Sequence, residues 1–251
     1  MGSDRVLQSA FDYARHIGPI FGSEKISFLL YSLVRIRRPD NVIELGCGTG
    51  ATAFCMAMAL RENDHGRLLT VDNEQAWPEV SAKLPLKQLG FEAGISMADY
   101  IAACGRRFGV DGHLTYHRSE LPPFPAPKDN LGFLFVDYNH RPENVAKILA
   151  TYLPIMAPSS LIVFDSAATF FPTYQFLENL EHMLAQGRVP DMLLRDQSAE
   201  RRVAMTTLVQ RSRIKLMHFV EKDKAEQNSA SALFIDPMDV LPAADAVMRM
   251  G

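Results

Sequence analysis

The 251-residue chain has three cysteines and one tryptophan, and it has no long apolar run. Cys47, Cys55 and Cys104 lack the paired spacing of a metal site, and an odd number of thiols builds no disulfide framework. A reducing compartment is the natural setting, and with no basic-then-apolar leader pattern the expectation is a soluble, cytoplasmic protein. The longest apolar stretches, "ISFLLYSLV" and "ATAFCMAMAL", fall well short of the roughly 18 residues a membrane span needs. Basic residues are not in excess: 26 Lys and Arg stand against 29 Asp and Glu, a formal charge of -3. Whole-protein attraction to nucleic acid is therefore not expected, nor is a membrane partner. There is no internal repeat and no low-complexity tract.

What is present is enough apolar side chain, 47% of residues, to bury a substantial core. Residues 4–37 read as helical in two pieces, broken near "GPIFGS". Beyond them short β-rich runs ("NVIEL", "RLLTVD", "HLTYHR", "LGFLFVD", "SLIVFD") alternate with longer helical ones. That alternation predicts crossover units and a doubly wound, mostly parallel sheet with helices on both faces. The expected organisation is a helical cap over 1–37, a Rossmann-like catalytic domain over 38–212 and an extension of open topology over 213–251. Residues 73–94 read as an insertion after the second strand. "DMLLRD" and "RVAMTTLVQ" read as candidate closing strands.

Three strands end in an acid, Asp72, Asp137 and Asp165, and Glu44 lies near the end of a fourth. In an open parallel sheet, ligands bind beyond the carboxyl ends of the strands. Between the first strand and its helix runs "NVIELGCGTGAT". Gly46, Gly48 and Gly50 permit a sharp turn and a close approach by a ligand to the backbone at a helix start. Two cofactors fit this pattern. A dinucleotide fingerprint would use Gly46, Gly48 and Ala51, with Asp72 at the distance of a ribose-binding acid.

The wider arrangement points elsewhere. "VIELGCGTG" closely resembles the first motif of the class I S-adenosylmethionine-dependent methyltransferases, and "LLTVD" the second. "LGFLFVDYNHRPENVAKILATYLPIMAPSSLIVFD" resembles their fourth and fifth strands with the helix between. The resemblance covers residues 38–168 and is closest to the catechol O-methyltransferase-like and methyltransferase-24 groups. It implies a seven-stranded sheet and S-adenosylmethionine as cofactor.

The resemblance also implies roles by position. Gly46, Gly48 and Gly50 would carry the backbone past the methionine part, Glu44 would lie near its amino-acid end, and Asp72 would accept from the ribose hydroxyls. Ser119 and Glu120 would contact adenine. Asp137 would face the methyl group and, with Asp165, would bind a divalent metal such as Mg2+ in metal-using relatives. The third ligand position of those relatives is Ser166, a poorer hard-cation ligand than a carboxylate, which weakens the expectation of metal. His140, three residues after Asp137, is a candidate base, and equally a capping residue of the helix that Pro142 opens. His16 sits on the segment that folds over the cofactor in relatives. Phe170, Phe171, Tyr174 and Phe176 would wall a substrate pocket or, at helical spacing, join the core. Trp77 in the insertion is a candidate lid or a packing anchor.

The expected activity is methyl transfer to a hydroxyl or amine of a small molecule, in a tailoring step of secondary metabolism. Competing readings are a nucleic-acid or protein methyltransferase, and a nucleoside-binding subunit without turnover. "DYNH" occupies the place of the Asn/Asp-Pro-Pro-aromatic motif that the first of these would carry. The sequence leaves the oligomeric state open, a homodimer included.

Overall fold

In the computed structural model, residues 9–18, 24–120, 130–222 and 229–238 are described. Seven strands form one sheet in the order β3-β2-β1-β4-β5-β7-β6. They are β1 (Asn41–Leu45), β2 (Arg67–Asp72), β3 (Leu114–Arg118), β4 (Leu131–Val136), β5 (Met156–Asp165), β6 (Ser212–Val220) and β7 (Ser229–Pro237). Strands β1 to β5 pair in parallel, and β7 runs antiparallel between β5 and β6.

The period of two along each strand divides the core. Val42, Phe133, Phe135, Leu161 and Val163 point to one face; Ile43, Leu45, Leu134, Val136, Ile162 and Phe164 point to the other. Both sets are apolar because helices cover both faces, which is why these strands read as unbroken hydrophobic runs. On the first face lie α1 (Ala10–Ile17), α2 (Glu24–Arg37), α3 (Ala51–Asn63), α4 (Trp77–Lys83) and α5 (Met97–Phe108). The second face carries α6 (Pro142–Tyr152), α7 (Phe171–Ala185), α8 (Asp191–Leu194) and α9 (Ala199–Arg211). Helix α3 is buried without interruption from Ala53 to Leu60, since α1 and α2 pack on the side away from the sheet.

Two expectations are corrected. "DMLLRD" and "RVAMTTLVQ" are helical, in α8 and α9. Ser198 caps α9 by accepting from the N–H of Arg201, and only Met205 and Val209, four apart, are buried. A local cap and a helical period therefore override the β-branched content. The closing strands are β6 and β7, so the extension expected from 213 carries the last two strands of the same sheet. Among the described residues no helix is long and apolar enough to cross a membrane.

Candidate active site

The loop 46–50 joins β1 to α3 at the carboxyl edge of the sheet, and its three glycines serve different ends. Gly46 lies at φ +90°, where a Cβ would stand 2.0 Å from the carbonyl oxygen of Asp137. The turn can close only because that atom is missing. Gly50, the N-cap of α3 at φ +81°, packs against Ile101 and Phe54. Gly48, at φ +52°, has no atom within 4 Å of where its Cβ would be, so this side of the loop is open to a ligand.

Asp72 reaches across from the end of β2. Its Oδ2 accepts from the N–H of Cys47 (2.8 Å) and of Gly48 (3.2 Å), and its Oδ1 accepts from the N–H of Glu74 (2.7 Å). A carboxylate offers about four acceptor positions, so capacity for a ligand hydroxyl remains. Ser119 adjoins it, donating its N–H to the Asp72 carbonyl (2.9 Å) and its hydroxyl to the carbonyl of Glu120 (3.1 Å). Glu120 is exposed.

Glu44 does not present its carboxyl to a ligand, which corrects the expectation for it. The residue is fully buried beneath the loop and accepts from Thr52 (2.5 Å) and from Thr70. Burial pushes it from 4.5 up to about 8; the two hydroxyls pull the other way, and the charge of Asp72 adds to the rise. Glu44 holds the loop from the inside.

The cap helix α1 is fastened to the same loop. Tyr13 is buried, donates to the carbonyl of Thr49 (2.7 Å) and shares a 2.5 Å hydrogen bond with Tyr100 of α5. Sequence reading missed this pair, which is separated by 87 positions. His16 is exposed in the last turn of α1, outside the stripe formed by Tyr13, Ala14 and Ile17.

On the other side of the loop, Asp137, His140 and Asp165 converge. One ligand atom from each lies within 4.8 Å of the other two. Asp137 and His140 come from the turn between β4 and α6, and Asp165 ends β5. The N–H of Asp137 donates to the Leu45 carbonyl (2.8 Å), and the carbonyl of His140 accepts from the Thr173 hydroxyl of α7. The N-cap of α6 is Arg141, so His140 does not cap the helix. Asp137 is exposed at the sheet's edge. Its carboxyl is held well above the usual carboxylate range, first by solvation lost to the protein around it and then by the charges of Asp165, Glu44 and Asp72. The Ser166 hydroxyl donates to Asp165 Oδ2 (2.8 Å).

A cavity of about 420 Å³ opens beside Asp165, between the start of α2 and the adjoining ends of β6 and β7. Ile26, Leu29, Val220 and Ala230 give it apolar walls, and a Lys25–Glu221 ion pair (3.1 Å) adjoins them. His218 also lines it, bonded to Ser231 (2.7 Å) and Glu178 (2.8 Å), its ring 4.7 Å from that of Tyr174 and tilted by 36°. The sequence carried no signal for these walls, since they come from opposite ends of the chain. Phe170 and Phe171, 41% and 69% exposed, stand outside the core, whereas Tyr174 and Phe176 are half-buried. Trp77 is not a lid: it is buried, donates Nε1–H to the Ile95 carbonyl (3.0 Å) and packs 5.2 Å from Tyr100.

The seven-stranded order β3-β2-β1-β4-β5-β7-β6, with β7 alone antiparallel to the rest and an open glycine loop after β1, is a Rossmann-like methyltransferase fold. Residues 43–167, from β1 to just past β5, match the methyltransferase-24 family, described as a methyltransferase domain. With the fold, this match makes the chain an S-adenosylmethionine-dependent methyltransferase.

Solved structures of the same fold include the O-methyltransferase TomG of Streptomyces achromogenes, involved in tomaymycin synthesis and bound to S-adenosylmethionine. It is 17% identical over 90% of this chain and 89% of that chain, with a TM-score of 0.53. An O-methyltransferase of Bacillus cereus in complex with S-adenosylhomocysteine is 13% identical over 90% of each chain, TM-score 0.52. A SAM-dependent O-methyltransferase of Thermotoga maritima is 10% identical over 92% of this chain and 72% of that chain, TM-score 0.54. At these identities the likeness is one of fold. No curated protein matches the sequence.

Proposed function

We propose that this chain transfers the methyl group of S-adenosylmethionine to a hydroxyl of a small molecule, in a tailoring step. The observation that carries the reading is the position of one open loop face, at Gly48, between two carboxylate groups of different kind. On one side Asp72 is shaped to receive a ribose diol. On the other, Asp137, His140 and Asp165 surround the point where an acceptor would lose its proton. The 420 Å³ cavity beside Asp165 has room for one small acceptor, and its apolar walls favour a compact ring or chain.

Methyl transfer from a sulfonium is an in-line displacement, so most of the acceleration comes from holding two reactants aligned and away from water. The loop and Asp72 fix the donor; the cavity fixes the acceptor. Asp137 takes the acceptor's proton, a role that its raised affinity for a proton suits. Two carboxylates and an imidazole are also a donor set that fits a divalent cation. Such an ion would be held by Asp137, His140 and Asp165, and it would supply acidification of the bound hydroxyl.

Calorimetry with S-adenosylhomocysteine and with NAD tests the cofactor. The expected result is binding of the first alone, weakened about tenfold or more in Asp72→Ala. Binding of NAD alone would overturn the reading. With a panel of hydroxylated acceptors, Asp137→Asn should keep cofactor affinity and lose turnover; full activity in that variant would remove Asp137 from the chemistry.

A further inference from the structure

Position 166, where metal-using relatives place a third ligand, holds a serine here, and from the sequence this weakens the case for a cation. The fold answers that gap from another loop. Ser166 lies at φ +53° and gives its hydroxyl to Asp165 Oδ2 at 2.8 Å, which orients that carboxylate. His140 arrives from the β4–α6 turn instead, with a ring nitrogen inside the 4.8 Å limit that embraces one oxygen of Asp137 and one of Asp165.

We infer that the chain carries a re-formed metal centre in which His140 replaces the usual oxygen ligand, so that it takes a borderline transition ion in preference to Mg2+. The inference rests on the methyltransferase reading and gives this site a donor set of its own.

Ligand atoms at about 2.1 Å from a tetrahedral ion stand about 3.4 Å apart, so the trio, which lies within 4.8 Å, closes by up to about 1.4 Å through side-chain rotation when an ion binds. Both loops are pinned from outside the cluster. The Thr173 hydroxyl donates to the carbonyl of His140, and Ser166 donates its N–H to the Ser229 carbonyl (2.8 Å). Asp72 adds negative potential at Asp137 without ligating. Mg2+ demands an octahedron of oxygens and keeps its water, whereas imidazole suits zinc, cobalt and other late divalent ions. Three protein ligands leave an open position for the acceptor oxygen beside Asp165, at the mouth of the apolar cavity.

The test uses the full chain, stripped with a chelator and titrated separately with Co2+, Zn2+, Mn2+ and Mg2+. Co2+ should develop visible d–d absorption and bind about tenfold or more tightly than Mg2+. His140→Ala should weaken Co2+ by about tenfold or more and erase the preference over Mg2+, while Ser166→Ala should cost less than His140→Ala. Affinity for S-adenosylhomocysteine, measured on the same samples, separates the two ideas. Wild-type protein that binds this compound yet binds no cation, or binds Mg2+ as tightly as Co2+, overturns the metal centre alone. Loss of S-adenosylhomocysteine binding in the wild type overturns the methyltransferase reading instead. Unchanged Co2+ affinity in a folded His140→Ala, confirmed by its thermal midpoint, also overturns the inference. The wild-type preference among ions stands independently of any variant.

Discussion

Replacing Glu44 with glutamine should remove much of the pH dependence of this protein's stability. The carboxyl is enclosed between β1, β2 and α3, and burial raises it from 4.5 to about 8. Between those values the folded chain holds a proton that the unfolded chain has released, so stability must fall as pH rises through the window. Its contribution is complete below about pH 4.5 and lost above about pH 8. At about 1.4 kcal/mol for each pH unit, the loss across the window is about 5 kcal/mol at most. Glutamine is neutral throughout and of the same shape. Its amide can accept from one threonine hydroxyl and donate to the other, since the hydroxyls of Thr52 and Thr70 can turn.

Glu44→Gln should therefore match the wild type near pH 4.5 and exceed it by several kcal/mol near pH 9, up to about 5. Urea unfolding of the ligand-free protein across that range would read this directly. The fluorescence of Trp77, the single tryptophan and a buried one, reports the transition. Asp137 is shifted in the same direction and is present in both proteins, so its share cancels in the difference except for the part due to the charge of Glu44, which ranks below burial and Asp165 among its causes. Parallel curves for the two proteins would show that Glu44 is ionised at little cost in the folded state, and the argument for its burial would fail.

The glycine loop offers a paired test. Gly46→Ala should destabilise the fold by about 3 kcal/mol or more, because the new methyl meets the Asp137 carbonyl. Gly48→Ala should cost stability only about 1 kcal/mol while weakening S-adenosylhomocysteine about tenfold or more, as seen by urea midpoints and calorimetry. A Gly46 variant of normal stability, or a Gly48 variant of normal affinity, would contradict this division. Trp77→Phe should lose about 1 kcal/mol with its bond to Ile95 and leave kcat for any accepted substrate unchanged; a drop in kcat at intact stability would restore the lid.

Much of the frame was legible because its signals are local. Strands β1, β2, β4 and β5 could be read from apolar runs with an acid at or near their ends, since strands buried on both faces need no polar alternation. The glycine loop could be located because a strand, a turn and a helix start lie within a dozen residues. The tail misled for the same reason: the β-branched "RVAMTTLVQ" suggested a strand, yet a capping serine and two buried residues four apart made it α9. The edge strand β6, whose alternation of Ile214 and Leu216 with Arg213 and Lys215 was available, went unread.

The amino-acid order by itself determined the doubly wound frame, the place of the ligand edge and the identity of the acids that reach it, because each follows from neighbours within one or two elements. Only the tertiary structure decided how those groups divide the labour. Gly46 answers to Asp137 and Gly48 to open space, Glu44 turns inward, and His140 stands beside Asp137 and Asp165 while Ser166 bonds to Asp165. Those outcomes depend on distances between loops separated by tens of residues, and a linear pattern carries no record of which side of a turn faces another chain segment.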